Sequence, residues 1–339
     1  MRIRTTVVGS YPVPQWLYGN PSRVALRDAA MAVLKTQELA GLDVIAGGEL
    51  DRFNPSHPET NGMIDYFTTR LAGIETRYSV SDLEAFRADA GMSFRKAPAG
   101  IVTGEVGEGV LNLPADWEFL SGLTRHPLKF TCTGPHMLAK TLTDRRYGSA
   151  PKLAMAIARV LRAQLARVSA AQPAPAVIQL DEANISGHPE DREWAAEAIN
   201  HALEGITVER AVHICFGNYG GQTIQKGFWR DLIPFLNALR VNHLLLEFAR
   251  RGYDELPVFR DLDPKIALGL GVVDIKDNAI ETPELIASRI EDAVKVLGEQ
   301  RVRWVHPDCG FWMLPRHVAD GKMRALVEGA RYTDSSGGR

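Results

Sequence analysis

The chain has 339 residues, 45% of them hydrophobic and 24% charged, with a formal net charge of -2. That balance is ordinary for a globular protein and offers no basic surface for nucleic acid or an anionic membrane. No apolar run approaches the roughly 20 residues of a spanning helix, and no signal-peptide core precedes the first strand-like segment. Three cysteines are too few for a disulfide framework, so a reducing, cytoplasmic setting is expected.

Taken in order, Arg4–Val8 reads as a first short strand ending in Gly9-Ser10-Tyr11-Pro12. An Ala- and Leu-rich helix follows from Ser22 to Ala40, with Gly41 where a C-terminal cap belongs. Leu42–Ala46 is a second strand, closed by Gly47-Gly48-Glu49. Residues 51 to 100 are irregular: a turn-rich Asp51–Pro58, short helices over Met63–Leu71 and Ser79–Ala90, then a strand over Ala99–Val106 in a hairpin laid across the main body. Regular alternation resumes with a strand at Leu128–Thr133 and a helix at Lys152–Ala171. A strand at Ala176–Leu180, a helix at Asp191–Leu203 and a strand at Val208–Cys215 come next. Helix Trp229–Ala238, strand Asn242–Glu247, helix Tyr253–Phe259 and strand Lys265–Val273 continue the pattern. Helix Pro283–Leu297 starts after Thr282 as N-cap, and strand Arg301–Val305 and helix His317–Arg331 complete it. Residues 333–339 are a polar tail expected to fray.

Strands centred near residues 6, 44, 130, 178, 211, 244, 269 and 303 give eight strand-helix units. That count implies an α/β fold of the (β/α)8 TIM-barrel type, a single domain over 1–332 with an irregular segment inserted after the second strand. A doubly wound sheet satisfies the same alternation, but no Gly-x-Gly-x-x-Gly opens a helix after the first strand, which weakens a dinucleotide fold.

A barrel of this kind carries its site at the C-terminal ends of the strands. Ser10, Glu49, Asp181, His213, Cys215, Glu247, Asp274 and Cys309 all end or follow expected strands. Singly, each has a plain reading: Glu49 or Asp181 as a helix cap, His213 as a satisfied core histidine, and Cys132 as a small buried hydrophobe. The combination is more specific. His213 and Cys215 are two apart, hence on one face of a strand, and Glu247 and Cys309 close two other apolar runs. Imidazole, thiolate and carboxylate are the donors that Zn²⁺ takes. Their dispersion excludes a small zinc module with paired cysteines and demands a large scaffold. Asp308 would orient a ligand or cap a turn; Gly217, Gly220 and Gly221 form a loop beside the site or an anion cradle.

These residues resemble the catalytic domain of cobalamin-independent methionine synthase, from Thr5 to about Ala330. Thr5-Thr6-Val7-Val8-Gly9-Ser10-Tyr11-Pro12, Gly48-Glu49, Ile178-Gln179-Leu180-Asp181-Glu182, His213-x-Cys215, Glu247 and Pro307-Asp308-Cys309-Gly310 carry the resemblance. It implies that His213, Cys215, Glu247 and Cys309 hold zinc, and that Ser10, Glu49 and Asp181 bind the amino-acid end of L-homocysteine. Two carboxylates suit an ammonium, and Ser10 with its neighbouring N–H suits a carboxylate. It further aligns Asp274-Ile275-Lys276-Asp277 with the family's Asp-Ile-His-Ser, so that Lys276, with Asp274, stands at the proton-donor position. Lysine's ordinary pKa near 10.4 makes it a poor substitute for histidine there.

The folate half departs from the family. There is no N-terminal barrel, the pterin-stacking Trp falls near Thr141, and an acidic residue falls on Gly187; Arg95 aligns loosely with a folate-contacting Arg. The chain is similar to the short, folate-independent members, and the implied reaction is zinc-dependent methyl transfer to homocysteine from another donor. A donor-carrying partner such as a corrinoid protein would have to reach the rim. The alternatives are a related zinc thiol alkyltransferase of the epoxide or coenzyme M type, and a non-catalytic subunit with a structural zinc.

Overall fold

The structure is a computed structural model, and it describes residues 2–52, 61–88, 95, 97–218, 223 and 225–336, the last three without their side chains. Its strands in chain order are β1 Arg4–Thr5, β2 Ile45–Ala46, β3 Ala72–Glu75, β4 Ile101–Gly107, β5 Leu128–Thr133 and β6 Thr143–Asp144. They continue as β7 Val177–Asp181, β8 Glu209–Ile214, β9 His243–Leu246, β10 Ala267–Val273 and β11 Val302–Pro307. Eight of these form one parallel sheet in the order β1-β11-β10-β9-β8-β7-β5-β2. Parallel bridges Thr6–Val44 and Ser10–Gly48 then join its two edges. The ring is therefore the eight-stranded barrel expected from the alternation. No helix among the described residues is long and apolar enough to cross a membrane.

Period-two alternation divides the barrel strands between two environments. Outward residues such as Phe130, Cys132, Ile178, Leu180, Val212, Leu244 and Leu268 join the large core shared with the helices. Cys132 is a buried, free thiol within that core, as its plain reading has it. Inward residues Val44, Val177, Ala211, Leu245 and Trp304 form a separate, smaller plug. Register carries the inward face upward: Thr133 pairs with Asp181, Asp181 with His213, and His213 with Leu245. Polar residues one or two positions further along each strand are thereby delivered to one rim.

The local signals hold where a cap fixes them. The helix Arg23–Ala40 starts where the Ser22 side chain accepts from the Ala25 N–H and ends at Gly41 with φ 84°. The helix Pro283–Leu297 starts on Thr282, whose hydroxyl accepts from the Leu285 N–H. β3 and β4 pair antiparallel, the hairpin expected over residues 99–106, and β6 adds to β4 in parallel. Four differences have local causes. The helices Leu113–Ser121 and Pro135–Thr141 were absent from the expected pattern; both are short and carry proline in the first turn. Tyr253–Phe259 is instead a 3₁₀ segment at Leu256–Asp261, where Pro257 removes an N–H. The final helix runs Arg316–Ser336, so the expected tail is helical through its first four residues. The turn-rich stretch from Asp51 is described only at Asp51 and Arg52, and Gly220 and Gly221 lie outside the described residues.

Two features set the rim's backbone. Gly271 in β10 leaves room for a neighbour: a Cβ there would collide with Asp308 Oδ1 and sit 2.8 Å from the Leu246 carbonyl. The Asp308 carboxylate uses that space to accept the N–H groups of Phe248, Ala249 and Arg250 at 2.7–2.9 Å, which pins the chain immediately after Glu247. On the opposite side, Glu182 accepts from the His136 and Met137 N–H groups at the start of the helix Pro135–Thr141. His136 in turn faces Asp191 Oδ2 at 3.0 Å, and Lys140 reaches the same oxygen at 3.1 Å.

Gly271→Ala is expected to cost about 1–3 kcal/mol, the usual penalty of overpacking, read as a lowered urea midpoint with an unchanged slope. The His136–Asp191 pair predicts a pH window. Burial opposes charge on Asp191, but its His136 and Lys140 partners lower its pKa from 3.8 to about 2. Its contribution is complete above 3.8 and is lost as pH falls through about 2. His136 is raised from 6.5 by Asp191 and Glu182 against burial, so its share is complete below 6.5 and fades as pH rises above its folded value. Asp191→Asn should therefore lower stability near pH 5–6 by about 1 kcal/mol, allowing for solvent screening. It should change nothing below pH 2, as thermal melts at the two pH values would show.

Candidate metal and substrate site

Inside the rim lies a cavity of about 320 Å³. Ser10, Glu49, Asp181, His213, Cys215 and Cys309 all line it, so six of the nine residues singled out by the sequence share one space. The remaining three are Glu247, Asp274 and Lys276.

His213 follows from its strand. Its Nδ1 stands 3.1 Å from the Leu245 carbonyl on the neighbouring β9, which fixes that nitrogen as the protonated one and leaves Nε2 as a lone-pair donor. Nε2 is buried with no hydrogen-bond partner. Cys215 Sγ and Cys309 Sγ are 3.9 Å apart, and the ligand atoms of His213, Cys215 and Cys309 lie within 4.8 Å of one another. Two thiolates on one tetrahedral zinc, each at about 2.3 Å, stand about 3.8 Å apart. An orphaned imidazole nitrogen beside two sulfurs at that spacing fits a zinc ion. Titration behaviour agrees: the Cys215 contact holds Cys309 well below the ordinary thiol range, while the same contact and burial push Cys215 well above it. Burial opposes charge on His213, yet Cys309 raises its pKa.

Glu247 neither lines the cavity nor joins the three whose ligand atoms lie within 4.8 Å of one another. It is 0% exposed, and neither carboxylate oxygen has a hydrogen-bond partner. Burial and then Asp308 raise its pKa to about 7, against the pull of Lys276. Lys276 Nζ lies 3.7 Å from Glu247 Oε2 and donates to Thr223 Oγ1 at 3.1 Å. Lys276 is thus a counter-cation to Glu247 and does not line the cavity. Asp274 stays outside: its Oδ1 accepts the Lys276 N–H and its Oδ2 meets Arg250 at 3.3 Å.

The substrate wall is built around a second charge balance. Glu49 has φ 56°, the left-handed region that non-glycine residues rarely enter. Gly48 before it, at φ 80°, and the Tyr11 N–H bond to the Gly48 carbonyl set up that turn. Thr131 Oγ1 donates to Glu49 Oε1 at 2.5 Å, and Arg52 Nη1 lies 3.4 Å from the same oxygen. Asp181 accepts from Gln179 Nε2 at 2.7 Å. Burial raises Asp181 to about 7, helped by Glu49 and opposed by His213. A cationic group placed between Glu49 and Asp181 would relieve both. Ser10 stands close to Gly310, where any Cβ would strike its hydroxyl. Met63, Ile64, Met137, Trp312 and Met313 give the rest of the cavity an apolar lining.

Arg52, Lys129 and Gln179 were not singled out by the sequence reading. Period-two alternation could have exposed Gln179, which precedes Asp181 by two on the same inward face; Lys129 alternates with Thr131 and Thr133 in Leu128–Thr133. Of the positions that depart from the folate-dependent pattern, Thr141 is fully buried and donates to the Leu138 carbonyl. Gly187 faces the Gln225 side chain, and Arg95 is held by Asp65 at 3.1 Å. Gly217, at φ 90°, lines the cavity.

The sequence matches, over residues 3–332, the family model described as the catalytic domain of cobalamin-independent synthase. It is 31% identical to a methionine synthase of Sulfurisphaera tokodaii and 29% identical to one of Thermococcus kodakarensis, each over 96% of this chain and 91% of the relative. In fold it is similar to a B12-independent methionine synthase from a Shewanella species, solved in complex with selenomethionine. The TM-score is 0.81 at 23% identity, over 99% of both chains. The chain belongs to the cobalamin-independent synthase family, as a catalytic domain.

Proposed function

We propose that this enzyme is a zinc-dependent S-methyltransferase that moves a methyl group from a non-folate donor to the thiol of L-homocysteine, giving methionine. The observation that carries this reading is the shared cavity: His213 Nε2, Cys215 and Cys309 converge at one side of it, and Glu49, Asp181 and Ser10 line the same space. A relative 31% identical over 96% of the chain is named a methionine synthase, and a similar fold was solved with selenomethionine, a selenium analogue of that product.

His213, Cys215, Glu247 and Cys309 would hold the zinc, which when bound supplies a Lewis acid that keeps a substrate thiol deprotonated near neutral pH. Cys309 is only partly buried and lines the cavity with His213 and Cys215, whereas Glu247 does not. A thiol entering from the cavity therefore meets the donor set from its open side. Glu49 and Asp181 bind the substrate ammonium, and the Ser10 hydroxyl takes its carboxylate. Lys276 would offset the charge of Glu247, with Asp274 holding its backbone. The apolar wall of Met63, Met137 and Trp312 excludes water from the sulfur and receives the donor's methyl group. Burial of Thr141 and crowding at Gly187 support a donor other than folate, carried to the rim by a partner such as a corrinoid protein. Unlinked Cys215 and Cys309 suit a reducing cytoplasm.

His213→Ala and Cys309→Ala should each weaken zinc binding by more than the roughly 10–100-fold that follows loss of a residue merely supporting a ligand. Metal content after dialysis against a chelator measures this; wild-type retention in either variant would overturn the assignment. Glu49→Gln and Asp181→Asn should keep their zinc yet weaken homocysteine binding about 10-fold or more each, the value of a charge-assisted hydrogen bond. Titration calorimetry reads that effect, and unchanged affinity in both would point to a thiol with no amino group.

A further inference from the structure

Inside the barrel, beneath the substrate wall, is a lysine with no carboxylate in direct contact among the described residues. Lys129 is 2% exposed, and its Nζ donates to Gln179 Oε1 at 2.7 Å. Burying an ammonium costs free energy unless it is well paired, and a single amide oxygen is a weak return for three N–H donors. A methionine would fill the same space without the charge.

What the ammonium provides is direction. It can only donate, so the Gln179 amide must turn its oxygen toward Lys129. Gln179 Nε2 then faces up the barrel and donates to Asp181 Oδ1 at 2.7 Å and to the Val8 carbonyl at 2.9 Å. The flipped amide would set its oxygen against a carboxylate and a carbonyl, and would turn its NH₂ toward an ammonium. Donors therefore run one way, from Lys129 through Gln179 to Asp181. One Asp181 oxygen is anchored from below, and the carboxylate is presented to the cavity as an acceptor.

We propose that Lys129 is a positioning residue for the substrate's amino group, acting through Gln179 to hold Asp181 as an ammonium acceptor at the cavity wall. The inference rests on the reading of this site as one for an amino-acid thiol. It also completes the wall's charges: Arg52 stands against Glu49, and Lys129 stands beneath Asp181.

The test is calorimetric titration of the zinc-loaded protein with L-homocysteine and with 4-mercaptobutanoate, the same thiol acid without the ammonium. Lys129→Met should weaken homocysteine binding at least about 10-fold and leave the 4-mercaptobutanoate affinity within about 2-fold of wild type. Its thermal midpoint should hold or rise, because a buried charge has gone. Gln179→Glu, which turns a carboxylate toward Asp181, should show the same selective loss and serves if Lys129→Met fails to fold. Wild-type homocysteine affinity in a folded variant, or an equal loss for both thiols, overturns the positioning role alone. A wild-type protein that binds no homocysteine overturns the proposed substrate and this inference with it.

Discussion

Negative charge held inside a low-dielectric barrel is the constraint around which the upper half of this molecule is arranged. Two cysteines, Glu247 and Asp308 come together at the ends of β8, β9 and β11, and Glu49 and Asp181 lie across the same cavity. Taken out of water, such groups either find positive charge or give up their own. The raised pKa values of Glu247 and Asp181 are that tendency at work. Each cluster meets it differently. Asp308 is satisfied by three backbone N–H groups, Glu49 by Arg52 and Thr131, and Asp181 through Gln179. Only the Cys-His-Cys group ends in a lone imidazole nitrogen and two adjacent sulfurs. A divalent cation is the simplest partner for that set.

Precision at the rim comes from the parallel ladder below it. His213 is aimed by its own Nδ1 contact to the next strand, and Asp181 by register with Thr133 and His213. Glycines in β10 matter as much as the polar groups, because Gly269 clears space for His306 and Gly271 for Asp308. The chain after Glu247 is tied to Asp308, one residue before Cys309, so Glu247 and Cys309 share one support. Burial lowers His306, below the rim, to about 3, so that imidazole stays neutral.

The barrel was legible because eight apolar segments alternate with helices, and parallel strands buried on both faces leave a strong composition signal. The rim residues were legible for the same reason: the C-terminal end of a strand is visible in sequence, and His213, Cys215 and Cys309 fall there. Other features depended on tertiary space. Helix Pro135–Thr141 is defined by the remote carboxylate of Glu182, which no local pattern reveals. Arg52 and Lys129 matter because of what the fold sets beside them, and a single lysine in a strand otherwise reads as solvent-facing. Lys276 could be placed after a strand, but its proximity to Glu247 rather than to the cavity required the geometry. Asp274, equally prominent in sequence, turned out to shape the backbone beside Lys276.

The central proposal is that a zinc ion at His213, Cys215 and Cys309 takes up the substrate's sulfur from the cavity side. Zinc X-ray absorption on the purified protein, with and without L-homocysteine, addresses it directly. Two sulfur ligands are expected in the free enzyme and three when homocysteine is saturating. A zinc that keeps two sulfurs at saturating homocysteine would contradict it and mark the metal as structural.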